Sequence, residues 1–180
     1  MGNLSPEPAL LGFLLSGPQH GYDLHRRFQA ELGQVWHLSQ SQAYAILKRL
    51  EAHGEISSHI IRQAKLPARQ VLRLTASGRR RFKAWLEFDV SSNARAIRLE
   101  FLTRLYFVQL YEPRKLDAIC SAQRLEVEDH ILRLERVLLE LPSAQDFNRL
   151  SLDLRLRQMR LILDWLHEIR IQFVDKEAIR

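Results

Sequence analysis

The sequence predicts a mainly α-helical fold, in which an N-terminal winged helix-turn-helix with a small β-hairpin wing precedes an all-helical C-terminal domain. The first observation behind this prediction is the order of local signals between Gly17 and Gly78, which runs helix, turn, helix, hairpin, helix. The second is that every periodic segment after a polar stretch at residues 89–95 has helical spacing. We therefore expect two domains, at residues 1–90 and 91–180.

The composition is that of an ordinary globular protein. Of the 180 residues, 46% are hydrophobic, which is enough to build a packed core. Cys120 is the only cysteine, so an internal disulfide is excluded and a reducing, cytoplasmic location is expected. The longest apolar run, Ala9–Leu15, is too short to cross a membrane and follows no basic segment, so we expect neither a membrane span nor a secretory signal.

Positive charge is concentrated in one third of the chain. The formal net charge is +6, and residues 48–83 alone contain ten basic residues and two acidic ones. Residues 93–180 are nearly balanced, with fifteen basic and fourteen acidic residues. A basic segment of this kind is typical of proteins that bind nucleic acid, although a solvated surface would show the same composition.

The third predicted helix has the best N-terminal cap in the chain. Ser39 and Gln42 form an S-x-x-Q capping box, in which each side chain can satisfy a free backbone N–H of the other residue. On a helical wheel one face is apolar and must meet a core, and its members are Ala43, Ile46, Leu47 and Leu50.

The opposite face of this helix combines small, hydrogen-bonding and cationic residues. Its centre holds Ser41, Tyr44, Ala45, Lys48 and Ala52, and its edges hold Gln42 and Arg49. Such a surface fits a DNA major groove, which is about 12 Å wide, without steric obstruction. A merely solvated face is the alternative.

A hairpin is predicted after the third helix. Residues 55–62 and 71–74 are rich in β-branched and apolar side chains, and the eight residues between them contain Pro67, so we expect a long tip. Three cations lie at or beside this tip: Arg62, Lys65 and Arg69. Arg79–Arg81 follow in the first turns of the next helix, where they oppose the helix dipole unless an anion compensates them. Phosphate contact and solvation are both open for these three arginines.

The C-terminal half contains three predicted helices, at about residues 97–111, 114–141 and from 146 onward. The first is apolar on nearly all sides, and the second has apolar residues near a coiled-coil spacing. These helices expose more apolar surface than a single domain of this size can bury. We therefore expect a partner chain, with a homodimer as the default.

Other chemistry finds little support in the sequence. The seven histidines are scattered without metal-ligand spacing, there is no glycine-rich phosphate loop, and Cys120 in mid-helix is better explained as a small core residue. We expect no enzymatic activity, no cofactor and no metal ion. Three tryptophans could line a ligand cavity, although core packing is the simpler interpretation: Trp36, Trp85 and Trp165. Two other functions stay open, a sequence-independent architectural nucleic-acid-binding protein and a helical protein-interaction module.

Four sequence strings carry a family resemblance. The N-terminal half contains LLGFLLSGPQHGYDL, WHLSQSQAYAILKRLEAHGEI and PARQVLRLTASGRRRFKAWL, and the second half contains RLEFLTRLYFVQLYEPRKL. By these strings the chain resembles the PadR family of bacterial transcriptional regulators, in particular its longer, AphA-like members with a virulence-activator-type C-terminal domain. It departs from the family pattern at Ala43 and Ala45, where Gly and Pro are frequent, and at Leu72, where Tyr is common.

The resemblance implies a homodimer that binds double-stranded operator DNA and places its third helix in the major groove. It also implies that the wing follows the DNA backbone or minor groove. The predicted DNA-binding residues are Gln40, Ser41, Gln42, Tyr44, Lys48 and Arg49 on the helix and Lys65 and Arg69 on the wing. If a small apolar or aromatic effector exists, helix Ile97–Tyr111 is its expected lining. A fully packed interface without an effector is the alternative.

Overall fold

The computed structural model describes residues 4–63, 66–87 and 90–173. The chain forms two compact units, Met1–Phe88 and Asp89–Arg180. Helices dominate, and the described strands form one small antiparallel sheet, so the predicted mainly α fold with a hairpin wing is confirmed. No helix among the described residues combines the length and the apolarity needed to cross a membrane.

The first unit has the helix and strand order of a winged helix. Its elements are α1 (Glu7–Leu14), β1 (Gln19–His20), α2 (Gly21–Leu32), α3 (Gln40–Ala52), β2 (Ile56–Gln63), β3 (Leu66–Leu74) and α4 (Ala76–Leu86). The sheet order is β1-β3-β2, and both neighbouring pairs are antiparallel. The two-residue strand β1, which the sequence did not predict, attaches the start of α2 to the sheet.

The hairpin is longer than predicted and its tip is shorter. β2 and β3 stay paired out to Gln63 opposite Leu66, so most of the eight residues expected in the tip belong to strands. The prediction of a long tip is wrong because the strands stay paired beyond Pro67, with a register shift between Ile61 and Gln63 on the facing strand. β1 pairs with β3 only at Val71 and Leu72, so within the described strands Pro67 has a neighbour on one side, where proline is tolerated.

The core of the first unit is built from the apolar faces of its helices. Phe13 of α1 and Phe28 of α2 meet edge to face, with ring centroids 6.2 Å apart. Leu50 of α3 and Phe82 of α4 are also fully buried. Full burial of one such side chain contributes about 1.5–3 kcal/mol, so this shared core fixes the direction in which α3 presents its other face.

The second unit is entirely helical over its described part. Its elements are α5 (Ala94–Ala96), a π-helical turn (Ile97–Phe101), α6 (Leu102–Tyr111), a 3₁₀ turn (Pro113–Lys115), α7 (Leu116–Glu140) and α8 (Asp146–Phe173). The π-helical turn was not predicted. Cys120 is buried, which confirms its interpretation as a core residue.

Hydrogen bonds anchor the start of this unit. The Asn93 side chain caps α5 by accepting from the backbone N–H groups of Arg95 and Ala96. The buried Gln123 side chain of α7 accepts from the Ser91 backbone N–H and donates to the Ser91 carbonyl over 2.7 Å. Ser91 is therefore tied to α7, while Asn93 fixes the start of α5.

Apolar side chains also cover a solvent-facing surface of the two long helices. Three leucines recur every seven residues on α7, and four further residues follow on α8. This apolar stripe consists of Leu125, Leu132, Leu139, Phe147, Leu150, Leu154 and Leu161. The residues of each helix that face the core, such as Val127 and Leu156, lie on the opposite side. The stripe is what the sequence predicted as excess apolar surface.

Candidate nucleic-acid interface

The N-terminus of α3 is fixed by the capping box that the sequence predicted. The Ser39 hydroxyl accepts from the Gln42 backbone N–H over 3.3 Å, and the Ser39 backbone N–H donates to Oε1 of Gln42 over 2.9 Å. A cap of this type stabilises a helix by about 1 kcal/mol. It also fixes Oε1 of the Gln42 side chain, and Gln42 as a whole is exposed.

The two predicted faces of α3 are confirmed by burial. The apolar residues of one face are buried, whereas six predicted DNA-binding residues are exposed on the other: Gln40, Ser41, Gln42, Tyr44, Lys48 and Arg49. Hydrogen-bonding groups stand at the N-terminal end and cations at the C-terminal end. This is the order that base edges followed by phosphates would require.

Tyr44 packs against the start of α2. Its ring lies against Gly21, where an added Cβ would come within 3.0 Å of Tyr44 Cε1. Even so, 45% of Tyr44 stays exposed. The absence of a side chain at Gly21 therefore leaves room for the Tyr44 ring.

A groove of about 850 Å³ runs beside Tyr44 between α2, α3 and β3. Its walls are formed by His20, Gly21, Tyr22, Asp23, Tyr44, Leu47, Lys48, Glu51, Gln70 and Leu72. Nδ1 of His20 lies 2.9 Å from the Gln70 carbonyl oxygen, which joins two of these residues. Another lining residue, Glu51, accepts a hydrogen bond from the Ser58 hydroxyl through Oε1.

Tyr22 is the groove residue that sequence reasoning missed. It is 57% exposed, an unusual position for so large a side chain, and it shares the groove with Tyr44. The available signal was the Gly-Tyr pair in HGYDL, which was used only as a marker of the α2 start. Its exposure adds a second tyrosine to the candidate interface.

Arg49 is less free than the other residues of this face. Its Nε donates to Glu7 Oε1 over 2.7 Å, and a second guanidinium nitrogen pairs with the same oxygen. Arg81 of α4 pairs with the other carboxylate oxygen of Glu7 and with Glu55. We call these four residues, which join α1, α3, α4 and the start of the hairpin, the Glu7 cluster.

The Glu7 cluster perturbs the ionisation of its members. Burial raises the pKa of Glu7, but hydrogen bonds and positive charge from Arg81 and Arg49 outweigh burial, so the pKa lies below its usual value. Burial lowers the pKa of Arg81, whereas its bonds to Glu7 and Glu55 raise the pKa above the usual value. Arg81 thus has internal carboxylates as its compensating anions, whereas Arg79 and Arg80 are exposed.

For the two predicted wing residues the structure describes at most the backbone. Lys65 lies outside the described residues. Arg69 pairs with Ile61 across the hairpin, which places its backbone in β3. The wing contribution to the interface therefore stays a prediction.

The second unit holds a separate groove of about 470 Å³ beside Trp165, which we call the Trp165 groove. It is lined by Ala94, Arg95, Ile97, Arg98, Leu102, Gln158, Leu161, Ile162 and Trp165. Trp165 packs edge to face on Phe101, with centroids 6.4 Å apart, and so combines core packing with a place in the wall. Among the described residues, no group of three histidine, cysteine or acidic side chains could hold a metal ion.

A family model matches most of the first unit of this chain. Residues 10–84 match the model of the family described as transcriptional regulator PadR-like. The negative transcriptional regulator PadR of Bacillus subtilis is 26% identical over 178 residues, which cover 94% of this chain and 97% of that protein. The AphA-like subgroup stays a prediction, because the family match ends at residue 84.

Solved structures of the same Bacillus subtilis protein are also similar. Its complex with operator DNA is 26% identical, covers 91% of this chain and 94% of that chain, and has a TM-score of 0.46. Its complex with p-coumaric acid is 26% identical, covers 93% of this chain and 94% of that chain, and has a TM-score of 0.42.

Proposed function

We propose that this chain, a transcriptional regulator of the PadR-like family, binds operator DNA as a homodimer and reads it through the exposed face of α3. The observation that carries this proposal is the composition of that face. It is capped, supported by the core and, from Gln40 to Arg49, free of acidic residues, while Glu51 further along the same face accepts a hydrogen bond from the Ser58 hydroxyl. Lys48 extends it toward the phosphates.

Each part of the interface has a distinct role in this proposal. Gln40, Ser41, Gln42 and Tyr44 contact base edges in the major groove. Lys48 contacts the backbone. On the wing, Lys65 and Arg69 follow the backbone or the minor groove and supply affinity that does not depend on sequence.

Self-association follows from the apolar stripe on α7 and α8. Leu139 and Phe147 are more than four-fifths exposed, at 86% and 87%. A second copy can cover the stripe with its own, because a twofold axis brings the same patch of both chains together. Two recognition helices then meet half-sites about 34–36 Å apart, one turn of DNA.

An effector site is proposed at the Trp165 groove. Its volume lies in the range of small-molecule sites, about 300–1,000 Å³, and Ile97 and Leu102 belong to the helix predicted to line such a site. Arg95 and Arg98 at the wall favour a ligand with an apolar or aromatic body and an acidic group. Calorimetric titration with p-coumaric acid tests this: binding by the wild type and none by Trp165→Ala would support it, and equal binding by both would contradict it.

Selection from a pool of randomised DNA duplexes tests the function as a whole. Sequence-specific binding predicts enrichment of one inverted repeat with half-sites about 10–10.5 base pairs apart or a multiple of that spacing. A sequence-independent architectural protein would retain duplexes without enriching a motif. A protein-interaction module would retain no duplex at all.

A further inference from the structure

We propose that Glu7 limits the positive charge that the DNA-binding unit offers to phosphates, because it keeps the Arg49 guanidinium bound inside the protein. This inference rests on the proposed function, since it concerns how strongly the same surface attracts DNA. It makes Glu7 a positioning residue for Arg49 and, through it, a determinant of the affinity for DNA that does not depend on sequence.

The Arg49 side chain lies partly in solvent and partly against Glu7 of α1. Its side chain is 50% exposed on the edge of the α3 face that carries Lys48, whereas the Glu7 side chain is only 10% exposed. Two guanidinium nitrogens point at Glu7 Oε1, one of them over 2.7 Å. Arg49 is therefore turned from the DNA-facing side of its helix toward α1.

Carboxylate and phosphate compete for the same guanidinium. Both present a pair of anionic oxygens that arginine can bind through paired N–H groups, so a guanidinium held by one is withheld from the other. The carboxylate has the advantage here, because it is already in place and ionised in the folded protein. The pKa of Glu7 lies below its usual value, since the two arginines outweigh the effect of burial.

Loss of the Glu7 charge should release Arg49 more than Arg81. Arg81 also pairs with Glu55, which holds it whether or not Glu7 is charged. Glu7 is the acidic partner of Arg49 among the described residues. The substitution Glu7→Gln keeps the side-chain shape and one acceptor oxygen, so the expected gain is one phosphate contact from Arg49.

The size of the effect follows from counterion release. One extra phosphate contact steepens the slope of log affinity against log salt by about 0.9. At about 0.15 M salt this corresponds to roughly fivefold tighter binding to duplexes of random sequence. The same phosphate contact forms on operator and random DNA, so both affinities should rise by a similar factor and their ratio should stay near the wild-type value.

The test is a salt titration of binding to a random-sequence duplex. We expect Glu7→Gln to steepen the slope by about one and the double variant Glu7→Gln with Arg49→Ala to return it to the wild-type value. Glu55→Gln is the matched control, because it weakens the hold on Arg81 alone and should leave the slope unchanged. Glu7→Asp, which keeps the charge, should also give the wild-type slope.

Several results would overturn the inference. A folded Glu7→Gln protein with the wild-type slope would do so, as would an equal change in Glu55→Gln. If Glu7→Gln does not fold, the Arg49 Nε–H resonance of the wild type decides the matter. It should stay unshifted when random-sequence duplex is added, and a shift would contradict the inference. A wild type that binds no duplex would instead overturn the proposed function.

Discussion

The ring of Tyr44 lies against Gly21, so the residue at the centre of the candidate interface is positioned by the first residue of a different helix. An added Cβ at Gly21 would lie 3.0 Å from Tyr44 Cε1, closer than ordinary van der Waals contact. Because Gly21 has no side chain, the Tyr44 ring can pack closely against the start of α2.

Gly21→Ala should displace the Tyr44 ring by a few tenths of an ångström and weaken operator binding. The free energy of unfolding should change by no more than about 1 kcal/mol, because the ring is half exposed and can move, and alanine favours the helix. Binding titrations with the selected operator check this. In a Tyr44→Ala background the same substitution should have no further effect, and additive losses would contradict the proposed contact.

The parts of the interface that the sequence predicted correctly depend on neighbours within one helix. The Ser39–Gln42 box and the two faces of α3 are set by spacings of three and four residues, which are visible in the sequence. The Glu7 cluster joins residues 42 and 74 positions apart, so its partners become apparent only in the folded chain. Pro67 misled the prediction for the same reason, because its effect depends on whether a second strand lies beside it.

Lowering the pH should reduce the stability of the first unit, because Glu7 becomes protonated. A carboxyl whose pKa is lowered in the folded state contributes stability above its unfolded pKa, here 4.5, and loses it as the pH falls through the folded value. Urea unfolding at a series of pH values should therefore show a steeper loss of stability below about pH 5 in the wild type than in Glu7→Gln. Parallel profiles for the two proteins would contradict the assignment.

Glu100 in the π-helical turn should have the opposite effect on stability. Burial raises its pKa, and the positive charge of Arg104 only partly offsets this, so the ionised form is disfavoured in the folded state. Its contribution is favourable below pH 4.5 and is lost as the pH rises through the folded value. Glu100→Gln should therefore be more stable than the wild type at pH 7, with the gain vanishing in acid. A destabilised variant at pH 7 would refute this.

A charge on the apolar stripe should dissociate the proposed homodimer. Leu132→Glu places a carboxylate in the middle of the stripe, where pairing with a second copy would bury it twice. Sedimentation at micromolar concentration should show a dimer for the wild type and a monomer for this variant. Ala30→Glu, at an exposed position of α2 in the first unit, is the control and should stay dimeric. A monomeric wild type would contradict the prediction.

The most direct measurement of the central claim is the ratio of affinities for the selected operator and a scrambled duplex, taken at one salt concentration for the wild type and Tyr44→Ala. If α3 reads base edges, Tyr44→Ala should lower this ratio by a factor equivalent to about 1–3 kcal/mol for each lost base contact. The affinity of the variant for the scrambled duplex should stay near the wild-type value. An equal loss of affinity for both duplexes would show that Tyr44 contributes no sequence discrimination, and would contradict the assignment of α3 as the recognition helix.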